Sequence, residues 1–151
     1  MASDEMDTIG YAISFRLGAE TLVKHSSKDA GCADIRDIIP FYALTGFSIE
    51  NGLKAALEFK KASKGLKWSH SHDLSGLLRM CKDVGLIVAP EVNSFVDELS
   101  PHHMEHHFRY PQKAGEVDLP KAANALALVE SLLNDVFQFI EGPIRLLREN
   151  G

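Results

Sequence analysis

Four of the seven histidines fall in one short stretch, His102, His103, His106 and His107 of HHMEHHFRYP. On a helix, His102/His106 and His103/His107 would form two i, i+4 pairs, the spacing at which two imidazoles can share a metal ion. Glu105 lies between them as a candidate carboxylate ligand or base. The ligand count argues against a metal there. A structural zinc takes four protein ligands and a catalytic zinc three, and no paired Cys/His element elsewhere supplies the rest. His70 and His72 qualify only if the fold carries their loop across. The expectation is a polar histidine cluster beside a proline turn, with no metal and no cofactor.

Arg109-Tyr110-Pro111 follows directly. An arginine at a helix end suits the helix dipole and can pair with a carboxylate. A held guanidinium can also offer two parallel hydrogen bonds to a phosphate, with Tyr110 beside it for stacking. Glu50 and Lys54 stand i, i+4 in the favourable order, which reads first as a solvated helix pair. His72-Asp73 reads as a capping loop. No glycine-rich phosphate loop, GxSxG or HExxH occurs, so nucleotide hydrolysis on a P-loop, α/β-hydrolase chemistry and zinc proteolysis have no support. The lone Trp68 and the acidic balance do not suggest a surface for stacking single strands.

The elements that must position these residues are helices. Ile9, Ala12, Ile13, Phe15, Ala19, Leu22 and Val23 recur at close to the 3.6-residue period, predicting a helix over 5–26. A small, polar stretch then runs to about Pro40, and a second helix is expected from Phe41 to Lys61, with Gly65 as a stop. Gly46 and Gly52 lie inside it. Each costs about 1 kcal/mol against alanine, so each fits best where another helix packs close. Asp73 is a good N-cap for a third helix carrying Leu74, Leu77, Leu78 and Cys81, closed by Gly85. Pro90 opens a fourth, with Val92, Phe95, Val96 and Leu99 inward. After Ser100-Pro101 the chain either continues with a kink or makes a separate short turn. The last helix starts near Pro120 and is bent or ended by Gly142-Pro143. LIVA at 86–89 is too short to count as a strand.

With 151 residues the chain suits one domain, 1–151, able to bury a core without disulfides or metals. The net charge of −5 excludes a strongly basic nucleic-acid binder and leaves room only for a local patch. No apolar run reaches the roughly 18 to 20 residues of a membrane span. The acidic start MASDEMD is unlike a secretory signal. Cys32 and Cys81 have no metal-type spacing and read as reduced thiols of a cytoplasmic protein. The fold expected is all-α, an antiparallel up-and-down bundle of four to five helices. Its core is expected to hold Leu53, Leu57, Leu77, Phe95, Leu126, Val129, Leu133 and Phe137.

Three segments in order, ALTGFSIENGLKAAL at 43–57, HDLSGLL at 72–78 and FRYP at 108–111, precede a final amphipathic helix. This set resembles the HEPN domain (higher eukaryote and prokaryote nucleotide-binding) over about residues 8–141. The resemblance implies the same helical bundle. It also implies a setting in toxin–antitoxin or phage-defence systems, as a homodimer, often beside a nucleotidyltransferase-type partner. Many members resemble metal-independent ribonucleases that use an arginine followed four to six residues later by a histidine. Arg109 stands where that arginine would be, but residues 110–116 contain no histidine. Cleaving RNA through its 2′-hydroxyl needs a group near neutral pKa to move the proton, and a cation to hold the phosphorane. The resemblance therefore implies a non-catalytic domain that binds a nucleotide, RNA or a protein partner, with Arg109, Tyr110, Lys54, Glu50 and His72 around the ligand. The alternatives are an endoribonuclease using Arg109 with His106 or His107, and an adaptor dimer without a nucleotide site.

Overall fold

Apolar residues at three- and four-residue spacing produce helices throughout. The computed structural model describes residues 2–25, 35–60, 68–105 and 120–149, and no strand occurs among them. The helices are α1 (Ala2–His25), α2 (Ile35–Phe59), α3 (Leu74–Asp83), α4 (Pro90–Met104) and α5 (Ala122–Glu149), with a 3₁₀ turn at Trp68–His70 before α3. This is an all-α bundle, as the periodicity predicts.

Side-chain contacts give the directions. Thr8 Oγ1 donates to Glu58 at 2.8 Å, Ser48 Oγ donates to the Ala12 carbonyl at 2.7 Å, and Phe15 packs on Phe47, so α1 and α2 are antiparallel. Ser75 contacts Asp97 and Lys82 contacts Asn93, which makes α3 and α4 antiparallel as well. Helix α5 lies along α2 in the same direction. The Tyr42 hydroxyl donates to the Pro120 carbonyl at one end, and Phe59 meets Phe139 edge-on at the other. Between them, a methyl group on Gly52 would stand 2.7 Å from Leu133 Cδ2. That is the close helix approach which makes glycine worth its propensity cost.

Leu53, Leu57, Leu77, Phe95, Val129 and Leu133 are buried in one apolar cluster. Leu126 and Phe137 only line its edge, because Leu132 and Val136 take the deeper positions on α5. Trp68 is buried in the core, so it offers no stacking surface. The link after α3 turns Leu86 inward and leaves Ile87 exposed. Among the described residues no helix is long and apolar enough to cross a membrane.

One helix boundary differs from expectation, and two others settle alternatives that the sequence leaves open, all three at prolines. Helix α2 begins at Ile35 and contains Pro40. At its sixth residue a proline forfeits only one internal hydrogen bond, and Phe41 and Tyr42 beside it are buried, which outweighs that loss. Helix α4 runs through Pro101 to Met104, with Ser100 and His103 buried on either side. Helix α5 runs through Gly142-Pro143 to Glu149 rather than ending there.

Helix α3 is bounded as its sequence directs. The Asp73 carboxylate accepts from the Gly76 N–H at 3.1 Å. At the other end Gly85 adopts φ 111°, its N–H donates to the Lys82 carbonyl, and the Leu86 N–H donates to the Cys81 carbonyl. This is the paired hydrogen-bond pattern of a left-handed helix stop.

Replacing Leu133 with alanine should cost about 2–5 kcal/mol in a denaturant titration. Gly52→Ala alone should destabilise through contact with Leu133. In the Leu133→Ala background the added methyl has room, so it should recover part of the loss. Simple additivity of the two changes would contradict the close packing of α2 on α5.

Candidate functional site

Helix α2 presents Gly46, Glu50 and Lys54 on one face, four residues apart. Glu50 is only 6% exposed. A carboxylate buried this deeply in an apolar bundle requires charged or hydrogen-bonding partners. Three side chains from three parts of the fold meet that need. Lys54 Nζ donates to Oε2 at 3.1 Å, His72 Nδ1 lies 2.7 Å from Oε1, and His103 Nε2 lies 2.9 Å from the same oxygen.

Each partner is aimed by local structure. His72 immediately precedes the N-cap of α3. Asp73, besides capping the helix, accepts from Ser100 Oγ of α4 at 3.1 Å, while the Asp73 N–H donates to Ser71 Oγ. The Ser75 N–H in turn donates to Ser100 Oγ. The capping loop is thus tied to α4 one turn before His103. On α4, Ser100 and His103 stand i, i+3 and share the buried face. The His103 ring lies edge-on to Phe47 with centroids 5.2 Å apart. It occupies the space above Gly46, where a β-carbon would collide with its Nδ1 and Cε1 atoms.

Electrostatics follow from this packing. Burial pushes the Glu50 carboxyl up, but hydrogen bonds from His103 and His72 and the charge of Lys54 outweigh it and bring it down to about 2. The carboxylate therefore stays ionised at any physiological pH. His103 is 5% exposed and the His72 side chain 45%, so the cluster has a buried end and a solvent-facing end. Cys81, bonded to the Leu53 carbonyl at 3.3 Å, is pushed up to about 12 by burial and is an inert core thiol.

Of the residues singled out by sequence, Glu50, Lys54 and His72 come together. The Glu50–Lys54 pair is not the solvated surface pair that its spacing suggests, because tertiary packing covers it. His72 does more than lead into a cap, for the fold carries its loop across to α2. His103 joins them through its ring Nε2. His102 is half-buried on the neighbouring position. Arg109, Tyr110, His106, His107 and Cys32 lie outside the described residues. A hollow on α5 lined by Asn134, Phe137, Gln138, Glu141 and Gly142 shares no residue with the cluster.

Sequence reasoning passed over Gly46 and Ser100 as parts of this site. The signal for the first was present: a glycine four residues before a carboxylate, on the same helix face, marks where something comes close. Comparison with protein-family models, curated proteins and solved structures finds no match.

Because the folded carboxyl lies near 2 and its ordinary value is 4.5, Glu50 contributes stability that is present above about pH 4.5. That contribution is lost as the pH falls towards 2, and corresponds to roughly 3 kcal/mol. Glu50→Gln should therefore be destabilised at neutral pH, and its deficit against the native chain should shrink between pH 4.5 and 2. A deficit independent of pH would show that the charge is not what holds the cluster. Gly46→Ala, which helix propensity alone would make stabilising by about 1 kcal/mol, should instead lower the melting temperature by displacing His103.

Proposed function

We propose that this chain is a HEPN-like binding domain that holds a phosphate-bearing ligand, a nucleotide or an RNA segment, without cleaving it. Its setting would be a toxin–antitoxin or phage-defence system in the cytoplasm, with a second copy of the chain and a nucleotidyltransferase-type protein as its expected partners. The observation that carries the reading is the convergence of Glu50, Lys54 and His72 at one polar point in an apolar bundle. In this arrangement Glu50 does not touch the phosphate. It holds the Lys54 ammonium and the His72 imidazole, and those two supply the donors.

Arg109 follows His103 by six residues in sequence and would add a guanidinium fork, with Tyr110 for stacking. The non-catalytic part of the reading rests on the sequence after Arg109, where the histidine that would move the 2′-hydroxyl proton is missing.

The test is binding of labelled RNA and of nucleotides to the full chain in the presence of a chelator, by anisotropy and calorimetry. Native protein should bind without cleaving. Arg109→Lys keeps the charge but loses the fork, and should weaken binding by roughly 1–3 kcal/mol with the melting temperature unchanged. Lys54→Ala should weaken it as well. Cleavage that disappears with Arg109 and with His106 or His107 would establish the ribonuclease instead. An absence of binding to any nucleotide or RNA would favour the adaptor dimer.

A further inference from the structure

We propose that Glu50, His72 and His103 form a binding site for one divalent first-row transition-metal ion, of the two-histidine, one-carboxylate type. One ligand atom from each of the three lies within 4.8 Å of the others. These atoms come from α2, the loop before α3 and the last turn of α4. Only His103 comes from the 102–107 stretch, and the other two ligands are supplied by distant parts of the chain.

The separations favour this use. Glu50 Oε1 stands 2.7 Å from His72 Nδ1 and 2.9 Å from His103 Nε2. Two ligand atoms each about 2.1 Å from one ion and this far apart subtend roughly 80–90° at it. Both angles suit neighbouring positions of a six-coordinate site and are narrower than a tetrahedral site requires. The remaining positions would open on the side of His72, the solvent-facing member. Imidazole and carboxylate donors suit iron, cobalt, nickel and zinc, whereas no thiolate takes part, since Cys81 is engaged with the Leu53 carbonyl.

Each ligand also has the supporting partner that a metal site needs. Lys54 holds Oε2 and leaves Oε1 to the ion. The Asp73–Ser100 contact fixes the loop carrying His72, and Gly46 and Phe47 fix the His103 ring. Binding replaces the two imidazole–carboxylate hydrogen bonds. The nitrogen against Oε1 carries the hydrogen-bond proton, so on binding a neutral ring moves that proton to its other nitrogen through solvent and gives the freed lone pair to the ion, while a doubly protonated ring releases one proton to solvent.

The experiment uses full-length, tag-free protein stripped with a chelator, then titrated with Co²⁺ by visible absorption and with Ni²⁺ or Zn²⁺ by calorimetry. One ion per chain should bind, with a rise in melting temperature. His72→Gln, at an exposed position that tolerates change, should weaken binding at least tenfold while circular dichroism stays native. Glu50→Gln should do the same where it folds. The double variant His106→Ala/His107→Ala should bind as the native chain does. Absence of binding, binding unaffected by His72→Gln, or binding lost in the 106/107 variant would each overturn the proposal. Ligand binding under "Proposed function" is measured with chelator present, so the two can fail separately.

Discussion

A single buried carboxylate sets much of this architecture. Removing Glu50 from water is unfavourable unless its charge is compensated by close donors. The compensation comes from Lys54 on its own helix, His72 before α3 and His103 at the end of α4. These partners are separated from Glu50 by 4, 22 and 53 residues. The apolar cluster is non-directional and would tolerate several orientations of the α3–α4 hairpin on α2. Hydrogen bonds to one oxygen would not. The carboxylate therefore supplies register where hydrophobic burial supplies most of the driving force.

The small residues follow from that constraint. His103 can reach Oε1 only because Gly46 leaves its ring room. On another face of α2 Gly52 performs the same office for Leu133. A helix that gives up about 1 kcal/mol at each of two positions is recovering it through contacts on two sides. Asp73 shows a similar economy of means. Its carboxylate ends the exposure of the α3 N–H groups and also binds Ser100, so one side chain starts a helix and anchors the next.

Local signals in the sequence were legible where a local cause decides the structure. Asp73 as a cap, Gly85 as a stop and Pro90 as an opening residue are backbone effects spanning a few residues, and all three stand. Pro40 misleads, and Pro101 and Gly142-Pro143 leave two outcomes open, for the opposite reason. A proline's cost is local, but at Pro40 and Pro101 the compensation comes from neighbours such as Tyr42, Ser100 and His103 that are buried against other helices. The same division governs the site. Glu50 and Lys54 are recognisable as a pair from their spacing, yet nothing in that spacing says the pair is buried. The histidines stood out by their density at 102–107. The one known to reach the carboxylate, His103, does so across the bundle, and its partner His72 is a single histidine in a loop.

The buried and exposed ends of this cluster have different physical roles. His103 and Glu50 are enclosed, and disrupting either leaves an unpaired polar group in the core, so these two are inseparable from the fold. His72 serves the same carboxylate from the open end. Its ring is nearly half exposed, and the segment bearing it is already fixed by Asp73, Ser71 and Ser100. The histidine sets a nitrogen against Oε1 while nearly half of its side chain meets solvent. A half-exposed imidazole, held beside a permanently ionised carboxylate and a lysine, is the member of the cluster where ligand chemistry is least entangled with burial.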